Sequence, residues 1–251
     1  MPGLVDFEGE YVHELTNVRG WIDIPLRDAL SDACGLPAAV DNDANCMVFA
    51  EARHGAARGL ANVVGVTLGT GIGGGIVLGG EIYRGSHCGA GEIGQMCIDH
   101  DGRPGHYGNP GAIEEYLGNG PIAEIAIERY RAAGIARDPA EWNAANAPRL
   151  LAEAAESGCP VALALWDEFA GWLAAMFGGV AWLLDPDAIV IGGGVAKAGD
   201  LLFKPLRDKM LPTLSPTLRE HLRVVPAQFS NDAGMIGAAA LGVWASRRAG
   251  D

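Results

Sequence analysis

A glycine run, Leu68-Gly69-Thr70-Gly71-Ile72-Gly73-Gly74-Gly75, is the strongest local candidate for chemistry in this chain. Residues without a β-carbon reach positive φ and let a ligand approach the backbone. The amides of such a turn, with the Thr70 hydroxyl, therefore suit the oxygens of a phosphate group. A tight hairpin turn with no ligand would use the same residues. A second cluster, Gly192-Gly193-Gly194, follows the apolar stretch Ala188-Ile189-Val190-Ile191. A flat adenine and its ribose could lie against bare backbone there, although a strand that simply ends in a glycine turn has the same sequence.

Carboxylates form the other half of the candidate chemistry. Asp43, in Asp41-Asn42-Asp43-Ala44-Asn45, stands where a helix begins, so it is either a helix cap or a base that orients an attacking hydroxyl and takes its proton. Phosphoryl transfer needs one such carboxylate, with electrostatics doing most of the rest. Glu92, within Gly91-Glu92-Ile93-Gly94, and Glu114 lie in a loop-rich section. A carboxylate there can grip hydroxyl groups through paired hydrogen bonds or simply face solvent.

These residues need a scaffold. Apolar spacing predicts helices over 27–34 and 44–58, with Asp43 and Asn45 offering cap chemistry to the second. Residues 63–68 read as a buried strand and 75–78 as a second β-rich run, together a hairpin around the glycine loop. From Glu81 to Gly120 Gly, Pro, His and Asp prevail without periodicity, which marks an ordered functional loop. Helical patterns follow over 121–133, 147–157 and 160–184, then a short buried strand at 188–191 and a closing helix over 234–248. Alternating strands and helices without internal repeats imply an α/β fold with a largely parallel or mixed sheet.

Bulk properties narrow the partners. A chain of 251 residues, 49% hydrophobic, can bury one large core or two modest lobes joined by a cleft. The formal charge of −13, with no basic cluster longer than Arg247-Arg248, argues against nucleic acid. Met1-Pro2-Gly3-Leu4-Val5-Asp6 has neither a basic nor an apolar signal region, which leaves the cytoplasm as the default location. The most apolar segment, Phe169 to Leu184, is bracketed by Glu168 and Asp185 and falls short of the roughly 20 residues a bilayer needs. It reads as a buried helix, with no membrane as partner. Cys34, Cys46, Cys88, Cys97 and Cys159 are scattered and form no Cys-x-x-Cys pair, which suits reduced thiols in or near a core.

Taken in order, these motifs resemble the ROK family of sugar kinases and repressors over nearly the whole chain. The matching stretches are Pro2-Gly3-Leu4-Val5-Asp6, Gly20-Trp21, Asp41-Asn42-Asp43-Ala44-Asn45, the run Leu68 to Gly75, and Ala90-Gly91-Glu92-Ile93-Gly94. Gly108-Asn109-Pro110-Gly111 with Glu114, Ile189 to Val195, and Asp232 to Ala239 continue the match. The resemblance implies the actin-like ATPase (ribonuclease H-like) α/β fold in two lobes, the first of them incomplete. On that reading residues 1–45 are a remnant of the first lobe, 46–232 form the C-terminal α/β lobe, and 233–251 are a helix returning to the first lobe. It also implies ATP with its magnesium, a hexose-like sugar and a homodimer. Carried over residue by residue, it makes Asp43 the base acting on the sugar 6-hydroxyl, with Gly3, Asn42, Glu92, Gln95 and Glu114 beside the sugar. Gly69, Thr70 and Gly71 would meet the ATP phosphates, and Gly193 and Gly194 would border the adenosine.

The chain departs from the family pattern in two places. Many members hold a structural zinc through a His three residues after the glutamate and three cysteines spaced 10, 12 and 17 residues beyond it, positions occupied here by Gln95, Gly105, Tyr107 and Ala112. That donor set predicts no structural zinc, and the spacing of nearby Cys97, His100 and His106 fits no common zinc pattern. Gln95 can still hydrogen-bond a hydroxyl, but the residue that would report the sugar is gone. Members also begin with a strand and an Asp-x-Gly-Gly-Thr loop for magnesium and ATP phosphates, and none stands before Pro2. The expectation is a sugar kinase, inactive if this chain is truncated, with a non-catalytic sugar-binding relative as the alternative.

Overall fold

A computed structural model describes residues 4–6, 11–14, 22–229 and 232–248. Gly3, expected beside a sugar, lies outside the described residues. The chain runs through β1 (Leu4–Asp6), β2 (Tyr11–Glu14), β3 (Ile22–Ile24), α1 (Leu26–Cys34), α2 (Asp43–His54), β4 (Val63–Leu68), β5 (Ile72–Leu78) and β6 (Glu81–Ile82). It continues through α3 (Glu114–Leu117), α4 (Asn119–Ala132), α5 (Ala147–Glu156), α6 (Pro160–Leu184), β7 (Ala188–Gly192), α7 (Asp200–Met210), α8 (Pro216–His221), β8 (Arg223–Pro226) and α9 (Ala233–Arg248).

β1, β2 and β3 form an antiparallel sheet in that order, with Val12 opposite both Val5 and Ile24. The second sheet has the order β6-β5-β4-β7-β8; it is mixed, since β5 and β6 pair antiparallel while β7 and β8 pair parallel. Every residue of β7 and all of β4 but Thr67 are buried, as expected of strands covered on both faces.

The contacts divide the chain into two units. One comprises the described residues of 1–65, 74–92 and 227–251. Its core helix is α2, buried on every side from Ala44 to Ala52, with two polar residues, Asn45 and Glu51, inside that stretch. The helix stops at His54, short of the predicted residue 58. Glu51, fully buried, turns its carboxylate onto the amides of Ala56 and Phe229 at 2.8 and 2.9 Å, and so supplies acceptors that the helix no longer provides. α9 lies against α2 so closely that a β-carbon at Gly237 would fall 1.8 Å from the Cys46 carbonyl oxygen.

The other unit comprises 66–73 and 93–226. Its centre is α6, which packs on α4, α5 and α7. The helix runs for 25 residues from Pro160 to Leu184, as its spacing predicts, and the apolar segment from Phe169 is its second half. Asp167 and Glu168 lie within the helix and pair with Lys209 and Arg129 at 3.0 and 2.8 Å. By length and composition α6 could span a bilayer, but 56% of its most apolar stretch is buried in the protein, as in a core helix. Asp185 ends it in the left-handed conformation, φ 45°.

The cysteine expectation needs correcting. Cys46 is buried, but Cys34 and Cys97 are exposed, because α1 presents no buried residue and Cys97 lies on a loop. All five thiols are free.

Candidate active-site residues

In the first unit the residues expected to do chemistry are collected around one stretch of β5. A β-carbon at Gly75 would come within 2.8 Å of the Ala44 carbonyl oxygen and 3.0 Å of the Asn45 α-carbon, so only glycine lets β5 run beneath the first turn of α2. Gly91, at φ 91°, crosses the same strand, where a β-carbon would meet the Gly74 carbonyl oxygen at 2.9 Å. The turn carrying Asn42 and Asp43 and the turn carrying Glu92 are thus held against adjacent residues of one strand.

Helix capping falls to Asn42, not to Asp43. Asn42 has extended backbone, φ −61° and ψ 148°, and its Oδ1 accepts from the amides of Ala44 at 2.8 Å and Asn45 at 3.4 Å. Asp43 occupies the first helical position and stays exposed, with Oδ1 accepting from the Ala44 amide at 3.0 Å. It lines a cavity of about 230 Å³ with Leu26, Leu30, Val40, Asp41 and Ala238. Behind it Asp41 is 5% exposed and fully hydrogen-bonded, with Oδ1 accepting from the Asn42 amide and from Asn45 Nδ2, both at 2.8 Å. Its Oδ2 accepts from Nε and Nη2 of Arg84. Burial, reinforced by the Asp41 charge, pushes the nearby Cys46 thiol up to about 11.

In the second unit both glycine clusters meet. Gly193, at φ 90°, passes so close to Leu68 that a β-carbon would lie 2.2 Å from its carbonyl oxygen, which sets Gly193 and Gly194 beside the Gly69-Thr70-Gly71 turn. The Gly69 amide donates to the Gly71 carbonyl at 3.0 Å, the Gly69 carbonyl accepts from the Asn119 amide at 2.9 Å, and Thr70 is exposed. Glu114 holds this turn from behind. Its Oε2 accepts from the Ile72 amide at 2.7 Å and occupies the space a β-carbon of Gly71 would need. Gly94 packs against the Ile72 carbonyl and the Glu114 carboxylate, which places Gln95 on the same edge.

Sequence reasoning missed three of these roles: Asn42 as cap, Glu114 as a brace of the glycine turn, and the Asp41–Arg84 pair. Asn and Asp cap equally well, so Asn42-Asp43 left the choice open. The other two join residues 42 and 43 positions apart, for which a single sequence carries no signal.

Against known proteins, the sequence pattern of the ROK family matches residues 1–243. The chain belongs to the ROK family. It is 36% identical over 240 residues to a glucokinase of Halalkalibacterium halodurans, covering 94% of this chain and 72% of that protein. A ROK family glucokinase from Streptomyces griseus, solved in complex with glucose and AMPPNP, matches with a TM-score of 0.79 at 32% identity, over 98% of this chain and 79% of that one. The DNA-binding transcriptional repressor Mlc of Escherichia coli is 27% identical over 242 residues, which are 95% of this chain and 58% of the repressor. The fold is that of the actin-like ATPases, with a mixed sheet and covering helices.

The positions at which relatives are expected to hold a structural zinc, Gln95, Gly105, Tyr107 and Ala112, carry no matching donor set in this chain. A β-carbon at Gly105 would meet the Ala112 β-carbon at 2.6 Å and Asn109 Oδ1 at 2.7 Å, and neither Gly105 nor Ala112 offers a donor side chain. Tyr107 is 74% exposed and stacks edge-on with His106, while His100 faces Asp101. Among the described residues no three His, Cys, Asp or Glu side chains converge. Backbone bonds hold the loop instead: Ile113 to Met96, Ile98 to Gly111, Gly111 to Arg103 and Gly105 to Asn109, at 2.7 to 3.0 Å. Asn109 Nδ2 adds a bond to the Gln95 carbonyl at 2.8 Å.

Proposed function

We propose that the protein is a sugar kinase that transfers the γ-phosphoryl group of ATP to the 6-hydroxyl of a hexose-like sugar. The observation that carries this reading is the division of labour at α2: Asn42 caps the helix, and Asp43 is left exposed on a cavity wall. The Asp43 carboxylate accepts the hydroxyl proton as the sugar oxygen bonds to phosphorus and the bond to the ADP oxygen breaks. Asn42, Glu92, Gln95 and Glu114 hold sugar hydroxyls. Among the described residues Gln95 Oε1 is buried without a partner, so a hydroxyl donor there would satisfy it. Gly69, Thr70 and Gly71 hold the phosphates, and Gly193 and Gly194 border the adenosine. Magnesium arrives coordinated by the nucleotide phosphates. The protein uses no structural zinc, works in the cytoplasm, does not bind nucleic acid or membranes, and acts as a homodimer; the exposed Trp182 and Leu183 near the end of α6 support self-association.

The test is hexose phosphorylation with ATP, followed by ADP release. Asp43→Asn is expected to lower kcat about a thousandfold while sugar binding by calorimetry stays within about threefold. Equal turnover in that variant removes Asp43 from the mechanism. Likeness to a repressor over 95% of the chain supports a second reading, a sugar-binding relative without turnover. Hexose binding with no ADP release would establish it.

A further inference from the structure

An anion as buried as Asp41 needs partners, and its two oxygens take them from different parts of the chain. Oδ1 serves the turn itself, accepting from the Asn42 amide and from Asn45 Nδ2, each at 2.8 Å. Oδ2 is held from outside the turn, by Arg84 Nε at 2.9 Å and by Nη2. Arg84 follows β6, and its Nη1 reaches the Ile82 carbonyl at 3.4 Å. β6 pairs with β5, and β5 passes beneath the first turn of α2 at Gly75. A chain of contacts therefore runs from sheet to guanidinium, from guanidinium to Asp41, and from Asp41 to the backbone that carries Asn42 and Asp43. The Arg84 and Asp41 side chains are only 15% and 3% exposed, so water screens the pair weakly.

We propose that Arg84 is a positioning residue for the reaction at Asp43, holding the Asn42–Asp43 turn in place by compensating the buried Asp41 carboxylate. The inference rests on the kinase reading and adds a residue that touches neither sugar nor nucleotide. Without the guanidinium, the buried Asp41 carboxylate loses the cation that compensates it at Oδ2. The turn then opens toward water, which moves the side chains that must meet the sugar. Asparagine at position 41 would keep the Oδ1 acceptor without the charge, so the charge can be removed from both partners at once.

The experiment compares Arg84→Met with the double variant Asp41→Asn/Arg84→Met in the full chain, using ATP and glucose as probes. Arg84→Met is expected to lose about 10- to 100-fold in kcat with KM for ATP within about twofold, since the nucleotide turn is held by other residues. The double variant is expected to regain at least about tenfold of that loss. Hydrogen exchange at the Asn42 and Ala44 amides should quicken in the single variant and return toward wild type in the double. A folded Arg84→Met protein with unchanged kcat overturns the proposal, as does a double variant no faster than the single. If Arg84→Met does not fold, the double variant decides alone: kcat within about fivefold of wild type supports the proposal, and a larger loss overturns it. A wild-type chain that phosphorylates no hexose defeats the kinase reading instead, and the exchange rates then judge whether Arg84 fixes the turn.

Discussion

The turn at Asp41–Asn45 and the loop at Met96–Ile113 are held in opposite ways. The turn takes its shape from partners far along the chain: Arg84 43 residues from Asp41, Gly75 beneath Ala44, and Gly237 against Cys46. The loop holds itself. Its bonds run from Met96 to Ile113, Ile98 to Gly111, Arg103 to Gly111 and Gly105 to Asn109, with Arg103 N–H also on the Tyr116 hydroxyl at 3.0 Å. Among the described residues two buried acceptors, Gln95 Oε1 just before it and Asn109 Oδ1 within it, lack partners. Such a local ladder can open without the rest of the fold, whereas the turn opens only when the packing of α2 gives way.

The largest effect in this comparison is expected where α9 touches α2. Gly237→Ala would drive a methyl group into the Cys46 carbonyl, and that backbone cannot move without displacing a helix buried from Ala44 to Ala52. The expected loss is about 1–3 kcal/mol, or several degrees in Tm by calorimetry, with kcat and stability falling together. An unchanged Tm would mean that the α2–α9 contact is looser than described, and the contrast with the loop would fail.

Asn109→Ala should act on a smaller scale and in one place. It removes the bond to the Gln95 carbonyl, worth about 1 kcal/mol. Exchange should quicken between Met96 and Ile113, and KM for the sugar should rise about two- to fivefold with kcat little changed. A fall in Tm as large as that of Gly237→Ala would show that the loop is part of the global fold after all. Chelation sharpens the same contrast. With Gly105 and Ala112 in place of donors, EDTA should leave Tm and loop exchange unaltered, and one zinc per chain by elemental analysis would refute that.

The scaffold was largely legible in the sequence. β4, α5, α6 and β7 stand within a residue of where periodicity put them, because β4, α6 and β7 are mostly apolar and α5 buries one clear face at Ala147, Leu151 and Ala155. β5 begins at Ile72 rather than Gly75, since Gly73 and Gly74 belong to the strand and not to the turn. α7 escaped notice because Pro205 lies inside it, and β8 because it is four residues ending in a proline. The site was legible as a set of residue types but not as a mechanism of support. Gly75 and Gly91 looked like parts of a ligand loop or a turn, whereas each is glycine because another backbone crosses it. Arg84 drew no attention at all, since a lone arginine after a short strand signals nothing until its carboxylate is found.

The smallest effect is also the most direct reading of the contrast, because each region carries its own thiol. Cys97 is exposed on the loop, whereas Cys46 is buried in α2, and burial together with the Asp41 charge raises its pKa to about 11. An alkylating reagent attacks the thiolate, so at about pH 9 Cys46 should stay protonated and slow, whereas Cys34 and Cys97 are exposed to the reagent. Cys46 then reacts only when α2 opens, and its rate, followed by mass spectrometry, reports that opening. Asn109→Ala should leave the Cys46 rate alone, whereas Gly237→Ala should raise it by an order of magnitude or more, in proportion to the stability lost. If Cys46 reacts as fast as Cys97 in the wild-type protein, the turn is no better protected than the loop, and the long-range partners described here do not hold it.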